Sequence, residues 1–252
     1  MSAARRASAA APPTSRPPRP VADPDGWIRD TRFGNWLITS DMWAEHVVRA
    51  PVTDLVHLLG HAVTGYPAIV DVGCGGGKAL PILEEVFSPD VLIGIDPDPE
   101  MIERAGAAGA RCRCRVELRL GHAAALGLPD QSVDMIFCHQ TFHHVPDPPR
   151  AAREFYRALK PGGVLLFAES CAPFIRSLLV RVLFRHPLDA QMPAEDYLRL
   201  LRSTGFEFTA DNVSTPYPWW SRRDLGAFEW FGRPRPANHP KTLLNVAAFK
   251  PR

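Results

Sequence analysis

The sequence predicts an α/β fold with a doubly wound, mostly parallel β-sheet. Short apolar runs alternate along the chain with stretches of helical periodicity, which is the pattern of successive βαβ units. A glycine-rich turn follows the first apolar run, and Asp96 ends the second, so these residues fall where parallel sheets bind ligands, at the carboxyl ends of the strands. With 252 residues, of which 46% are hydrophobic and 22% charged, the chain can bury one sizeable core.

The predicted core spans residues 66–252. Strands are expected at 68–72, 91–95, 116–120, 133–138 and 164–169, with helices at 78–87, 98–108 and 148–158. Pro161 ends the last of these helices, and the two glycines after it reverse the chain into the fifth strand. Beyond them, an amphipathic helix at 193–202 ends at Gly205, and two more strands are expected at 206–213 and 243–249.

Three segments depart from this regular alternation. Residues 23–65 carry tryptophans and apolar residues at helical spacing, which predicts N-terminal cap helices over the mouth of the sheet. The segments 171–200 and 216–241 are expected to be insertions in the core. Within the first, the apolar stretch 174–185 has three arginines spread around a helix, which favours a lid or dimer helix over one that lies on a membrane. The oligomeric state stays open.

The first 22 residues predict a disordered tail. They contain five prolines, four arginines and no acidic residue, and they cannot bury enough apolar surface to fold. A transit peptide is also rich in arginine and alanine, so a targeting role stays open. Because the four arginines exceed the net charge of +2, the rest of the chain is slightly acidic. Such a chain lacks the basic excess typical of nucleic-acid binding.

The five cysteines favour a reducing, cytoplasmic location over a disulfide scaffold. Their number is odd, Cys74 lies in the glycine turn, and Cys138 ends an apolar strand. Cys112, Cys114 and His122 do not predict a metal site, because one residue between two cysteines is too few for the usual pair of zinc ligands. The sequence has neither a secretory apolar core near its start nor a run of eighteen apolar residues.

The glycine turn after the first strand excludes two nucleotide-binding motifs. Lys78 stands where the third glycine of a dinucleotide fingerprint, Gly-x-Gly-x-x-Gly, would be. A P-loop needs a hydroxyl residue after its Gly-Lys pair, and Ala79 stands there instead. The glycines by themselves would also suit a strand-to-helix turn without a ligand.

What remains resembles the first motif of the class I S-adenosylmethionine-dependent methyltransferases, acid-x-Gly-x-Gly-x-Gly, which here is Asp71 to Gly77. Three further stretches follow in the order of that family: residues 121–123, 128–134 and 159–163. The resemblance covers residues 66–170 and is greatest to the small-molecule "type 11" subfamily that includes quinone-biosynthesis enzymes. It implies S-adenosyl-L-methionine as the cofactor and a seven-stranded sheet with an antiparallel C-terminal strand.

The resemblance also implies cofactor-binding residues. The backbone at Gly73, Gly75 and Gly77 would pass the amino-acid part of the cofactor, while Asp71 orders the turn or meets the ammonium group through water. Asp96 is expected to accept the ribose hydroxyls. The backbone of His122 and Ala123 would contact the adenine, and Cys138, His139 and Gln140 would line the methionine part.

Methyl transfer from a sulfonium is an in-line displacement, so most of the rate can come from holding the acceptor in line with the methyl carbon. An acidic acceptor still has to lose a proton, and imidazole is suited to this at neutral pH. His139 and His143 follow the fourth strand and are the candidate bases. The phrase His143 to Asp147 resembles one that recurs in the family with many substrates, which indicates a loop-structuring role for at least one histidine.

The acceptor is expected to be a small, largely apolar molecule, aromatic or lipid-like. The motivation is that residues 27–48 and 216–232 hold all six tryptophans and, with 172–187, surround the core. Packing of these aromatic residues against the sheet is the alternative. Two other function classes stay open: a non-catalytic S-adenosylmethionine-binding protein and, less well matched by the glycines, an NAD-dependent oxidoreductase.

Overall fold

The computed structural model describes residues 40–60, 65–177, 191–222 and 238–252, with the single residues 36, 180 and 231. The predicted tail at 1–22 lies outside these residues, as do the first part of the predicted cap and parts of both predicted insertions. What is described includes every predicted strand and helix of the core.

The described residues form a seven-stranded mixed sheet, as the sequence predicts. Its strands are β1 (Ala68–Val72), β2 (Val91–Asp96), β3 (Arg115–Leu120), β4 (Val133–His139), β5 (Leu159–Ser170), β6 (Val213–Ser214) and β7 (Leu243–Phe249). They lie in the order β3-β2-β1-β4-β5-β7-β6. The first five strands are parallel, and β7 is antiparallel to both β5 and β6. The strand order reverses direction between β1 and β4, and open α/β sheets bind ligands beside such a point.

Seven α-helices are described, with one π-helical segment between the first two. They are α1 (Asp41–Trp43), the π-helical segment (Ala44–Arg49), α2 (Ala50–Leu59), α3 (Leu80–Phe87), α4 (Pro99–Gly109), α5 (Pro148–Ala158), α6 (Ala172–Ile175) and α7 (Ala194–Thr204). The side chains of Asp98 and Asp147 cap the N-termini of α4 and α5, each followed directly by proline. Gly205 ends α7 with a φ of 109°, as its position predicts.

The sheet is buried on both faces, which explains why its strands are almost continuously apolar. On one face, Ile69 and Phe137 pack with Leu55 of α2 and Leu83 of α3. On the other face, side chains from neighbouring strand positions pack with α5 and α7; they include Val70, Ile136, Phe155, Phe167 and Tyr197. Because side chains alternate along a strand, the two cores divide the same strands between them.

Two element boundaries differ from the sequence prediction. The strand expected at 206–213 is mostly irregular: it has one bridge between Glu207 and Phe249, then a 3₁₀ turn at Ala210–Asn212, and only β6 is paired beyond it. The side chains of Thr209 and Asn212 form a capping box there, which gives the backbone an alternative to the sheet. β5 begins at Leu159 and not at 164, because Leu159 already pairs with Val133 before an irregularity in the register.

The helix expected at 174–185 is described only as α6, with Arg176 at its C-cap. Residues 178, 179 and 181–185 lie outside the described part of the chain. In the part that is described, no helix combines the length and the apolar character needed to cross a bilayer.

Candidate active site

A cleft opens at the carboxyl ends of β1 and β4, where the strand order reverses. The glycine turn after β1 forms one wall, the residues that follow β4 form another, and Trp43 and Val48 of the N-terminal helices lie over them. Its empty volume is about 510 Å³, part of which is open to solvent.

Gly73, Gly75 and Gly77 of the turn lack a side chain for two different reasons. A Cβ on Gly73 would lie 2.0 Å from the hydroxyl of Thr141, and one on Gly77 would lie 3.0 Å from Ala105 of α4. Gly75 has nothing within 4 Å and a φ of +50°. The first and third glycines therefore allow close packing of the turn, while Gly75 leaves its backbone open to a ligand.

Asp71 brings a buried, unbalanced carboxyl group to the cleft. It is only 2% exposed, and no described residue donates a hydrogen bond to its Oδ2. Burial, with a smaller contribution from the charge of Asp96, raises the pKa of Asp71 to about 8. A cation at this place would restore the favoured ionised form, since an opposite charge within a few ångströms stabilises a carboxylate.

Asp96 holds the end of β2 to the glycine turn. Its Oδ2 accepts a hydrogen bond of 2.9 Å from the Gly75 amide, and its Oδ1 accepts one of 2.9 Å from the Asp98 amide. Burial raises its pKa to about 6, although both amide hydrogen bonds oppose the shift. A carboxylate can accept about four hydrogen bonds, so capacity remains for a further donor.

The residues predicted to contact the adenine lie next to Asp96. The Gly121 amide donates to the Asp96 carbonyl at 3.1 Å, and His122 forms a bridge with Ala125. Neither Asp96 nor His122 and Ala123 lines the cleft beside β1 and β4. The predicted cofactor residues therefore form two groups, one around Asp71 and one around Asp96, joined by Gly75.

His139 reaches the cleft and carries a neutral ring. The ring stacks on Phe137, with 5.8 Å between centroids, and its Nε2 is buried without a hydrogen-bond partner among the described residues. Burial lowers the pKa of His139 to about 4, against the opposing effects of Glu169 and of the hydrogen bond with the Val47 backbone. A neutral imidazole with this pKa is a weak base, but its Nε2 can accept a hydrogen bond.

The burial of His139 predicts a pH-dependent stability. Below pH 6.5 the unfolded chain binds a proton at this position that the folded protein binds only near pH 4, so the free energy of unfolding falls by about 1.4 kcal/mol per pH unit as the pH drops through this window. The variant His139→Gln lacks this loss. We expect it to gain stability relative to the wild type between pH 7 and pH 5, measured by urea unfolding. Parallel stability curves for the two proteins would contradict the assignment.

Besides Asp96, His122, Ala123 and Gly77, two further predicted site residues lie away from the cleft. His143 is 3% exposed, and its Nδ1 lies 2.7 Å from Oε2 of Glu169, so it has no access to an acceptor in this structure. The Cys138 side chain is fully buried, with its Sγ 3.8 Å from Oε1 of Glu169. Side chains alternate along β4, and Phe137 and His139 therefore face the cleft while Cys138 faces the opposite core.

Gln140 does line the cleft, and the predicted set omitted several of its neighbours. Trp43, Lys78 and Thr141 also line it. Lys78 and Thr141 follow directly on predicted motifs, and this position was the signal that could have identified them. Of the tryptophans in the segment 216–232, the two that are described do not line this cleft: Trp219 is 62% exposed, and Trp220 packs on Phe174 with 5.6 Å between ring centroids.

Comparison with known proteins agrees with this arrangement. Residues 70–167 match the family model described as "Methyltransferase domain". Phosphoethanolamine N-methyltransferase 3 of Arabidopsis thaliana is 31% identical over 163 residues, which are 64% of this chain and 33% of that protein. Demethylmenaquinone methyltransferase of Symbiobacterium thermophilum is 34% identical over 111 residues, or 43% of this chain and 44% of the relative. The chain thus spans less than half the length of these two relatives.

The fold is shared with solved structures. The crystal structure of an S-adenosylmethionine-dependent methyltransferase from Mesorhizobium loti superposes with a TM-score of 0.59, covering 82% of this chain and 100% of that one at 23% identity. At that identity the likeness concerns the fold. The domain match adds the kind of domain: residues 70–167 form a methyltransferase domain.

Proposed function

We propose that this protein transfers the methyl group of S-adenosyl-L-methionine to a small, largely apolar acceptor. The observation that carries the proposal is the buried carboxyl group of Asp71, whose Oδ2 has no described hydrogen-bond partner and which lines the cleft beside the open Gly75 backbone. An ammonium group supplies both the positive charge and the hydrogen-bond donors that this carboxyl group lacks.

The chain offers a partner for each further part of the cofactor. Lys78 lines the same cleft and carries the charge that complements a carboxylate, and Gln140 offers an amide beside it. Asp96 can accept further hydrogen bonds, from ribose hydroxyls. The backbone of His122 and Ala123, just after β3, would contact the adenine. When bound, the cofactor supplies an activated methyl group on a sulfonium with a neutral leaving group. The protein contributes orientation and exclusion of water.

The acceptor side is proposed from the apolar part of the cleft. Trp43, Val48 and Phe137 line it, together with the uncharged ring of His139, which stacks on Phe137. This wall favours an aromatic or lipid-like acceptor, in line with the name of the demethylmenaquinone methyltransferase relative, over the polar one in the name of the phosphoethanolamine N-methyltransferase relative. The buried Nε2 of His139 would accept a hydrogen bond from the acceptor. We also propose that the protein works in the cytoplasm without a nucleic-acid partner.

A two-part experiment tests the proposal. Calorimetry of the purified protein with S-adenosylmethionine, S-adenosylhomocysteine and NAD should give binding of the first two and none of NAD; the reverse result would favour an oxidoreductase. Incubation with methyl-labelled cofactor and cell extract, followed by mass spectrometry, should yield a labelled small molecule. Cofactor binding without label in any molecule would identify a non-catalytic binding protein.

The acceptor wall leads to a prediction for Trp43. The variant Trp43→Ala removes aromatic surface from the acceptor side of the cleft, and we expect a rise of tenfold or more in the acceptor KM with little change in cofactor affinity. Trp219→Ala is the matched control, because Trp219 is exposed and does not line the cleft. The two constants are measured with the acceptor identified by labelling. If Trp219→Ala impairs the enzyme more than Trp43→Ala does, the acceptor lies under the 216–232 segment instead.

A further inference from the structure

We infer that Glu169 is a positioning residue, which holds the loop 140–144 against the glycine turn and so sets the shape of the cofactor cleft. The inference rests on the proposed function, because its measure is the affinity for the cofactor. Glu169 itself does not line the cleft and touches none of the reacting groups that the proposal assigns.

Glu169 lies near the end of β5 and is completely buried. Its Oε1 accepts hydrogen bonds from the amides of Thr141, at 2.7 Å, and Phe142, at 2.6 Å. Its Oε2 lies 2.7 Å from Nδ1 of His143. Three successive residues of one loop therefore converge on a single carboxyl group, and the two backbone donors would lose their buried acceptor without it.

The loop held in this way forms a wall of the cleft. Gln140, which begins the loop, has a φ of 52°, in the left-handed region that residues other than glycine rarely adopt. The Thr141 side chain fills the space beside Gly73, where an added Cβ would lie 2.0 Å away, and its hydroxyl donates to the His139 carbonyl at 3.0 Å. A shift of Thr141 would therefore change both the packing against the glycine turn and the hydrogen bond to the His139 carbonyl.

The choice of a carboxyl group is itself informative. β5 is apolar and buried from Val164 to Ala168, and an apolar residue at 169 would avoid the desolvation of a charge. An apolar side chain could not accept from the Thr141 and Phe142 amides. A carboxyl group at this position therefore fixes the loop. The loop is also joined to the segment just before α7, because Gln191 Nε2 donates a hydrogen bond of 3.0 Å to the His143 carbonyl.

Two substitutions separate the anchoring of the loop from the charge. Glu169→Gln keeps an oxygen at the position that accepts from both amides, and its amide nitrogen takes the position of Oε2 beside Nδ1 of His143. Glu169→Asp keeps the charge but is one methylene shorter and cannot reach the two amides. We expect Glu169→Gln to bind S-adenosylhomocysteine within about threefold of the wild type, and Glu169→Asp to bind it at least tenfold more weakly. The control is Val164→Ala, a cavity variant in the same strand, five residues and about 16 Å along β5 from Glu169.

Affinities are measured by calorimetry. The comparison is between variants whose melting temperatures have fallen by the same amount. The inference is supported if Glu169→Asp loses affinity that Val164→Ala and Glu169→Gln retain. It is overturned if Glu169→Asp binds as tightly as Val164→Ala, which would make Glu169 a residue of stability alone. It is equally overturned if Glu169→Gln is the weaker of the two, because the charge would then be what matters. A wild type that binds no S-adenosylhomocysteine would overturn the proposed function, a different result from these.

Hydrogen exchange of the wild-type protein gives a measure that needs no variant. With Glu169 as their acceptor, the amides of Thr141 and Phe142 should be protected before any ligand is added, as in the helices that flank them. Exchange of both amides at the rate of an exposed loop in the ligand-free protein would overturn the inference, even if neither Glu169 variant folds.

Discussion

The variant Asp71→Asn is expected to become steadily more stable than the wild type as the pH rises from 5 to 8, while it loses most of its affinity for S-adenosylmethionine. The pKa of Asp71 is raised to about 8 in the folded protein, from an ordinary value of 3.8. Between these values the folded wild type holds a proton that the unfolded chain has released. As the pH rises, its free energy of unfolding therefore falls by about 1.4 kcal/mol per pH unit. The fall ends as the pH passes 8, where the folded protein also releases the proton.

Asparagine at position 71 does not titrate, so the difference between the two proteins isolates this one group. Urea unfolding at pH 5 and pH 8 should show the variant gaining on the order of 3 kcal/mol relative to the wild type across that interval. The slope matters more than the offset, because the new amide group adds a buried donor whose cost does not depend on pH. A pH-independent difference would show that Asp71 is already ionised in the ligand-free protein.

The binding half of this prediction has the opposite sign. A cofactor ammonium group requires the ionised carboxylate, so binding by the wild type should release a proton, and its affinity should increase from pH 6 to pH 7.5. Asp71→Asn should bind at least tenfold more weakly, without proton release, because a charged hydrogen bond worth about 1.5 to 3 kcal/mol is lost. Calorimetry in two buffers of different ionisation enthalpy measures both quantities. Binding by the variant as tight as that by the wild type would remove Asp71 from the cofactor site.

Asp71 also shows why a stable fold and a functional site are in conflict here. Burial raises the pKa of Asp71 and lowers that of His139, so each group is held in its neutral form at neutral pH. Neither group has a described partner for its buried free atom. Buried polar atoms without partners are rare in cores and are enriched where a ligand completes the structure.

The sequence predicted the strands and helices of the core because their signals are local. The strand at 68–72 and the strand at 243–249 have the predicted bounds, and so does α5 at Pro148–Ala158, whereas the turn expected at 159–163 is the first part of β5. The strand expected at 206–213 failed because its apolar residues compete with the local hydrogen bonds of Thr209 and Asn212. A pattern of alternating apolar residues contains no information about that competition.

The site could be predicted only in part, because the sequence places residues on strand ends but not the direction of their side chains. It located Asp71, Asp96 and the glycine turn from one motif. It grouped His143 with His139, although the 3₁₀ turn Phe142–His144 points His143 at the buried Glu169. In the sequence, Glu169 is only a polar residue at the end of an apolar run. Its contacts with the loop after β4 are long-range, so they appear only in the folded structure.

Asp96→Ala is expected to weaken S-adenosylmethionine binding more than tenfold. Two effects combine in this variant: a ribose loses a charged acceptor, worth about 1.5 to 3 kcal/mol, and the Gly75 amide loses the carboxylate that holds it at 2.9 Å. Asp96→Asn separates them, since its remaining oxygen can accept from the Gly75 amide while the charge is gone. We therefore expect an intermediate affinity for Asp96→Asn, measured by calorimetry with S-adenosylhomocysteine.

A deoxy analogue identifies the ribose contribution directly. The wild type should discriminate against 2′,3′-dideoxy S-adenosylhomocysteine, and Asp96→Asn should discriminate much less, because the hydroxyls have lost their charged partner. Asp98→Ala is the matched control: it removes the N-cap of α4 two residues away, costs about 1 kcal/mol of stability, and leaves the Asp96 carboxylate in place. If Asp98→Ala and Asp96→Ala weaken binding equally, the effect comes from the loop and not from a ribose. If Asp96→Ala binds as tightly as the wild type, the cofactor does not use the end of β2, and Asp96 serves only to hold Gly75.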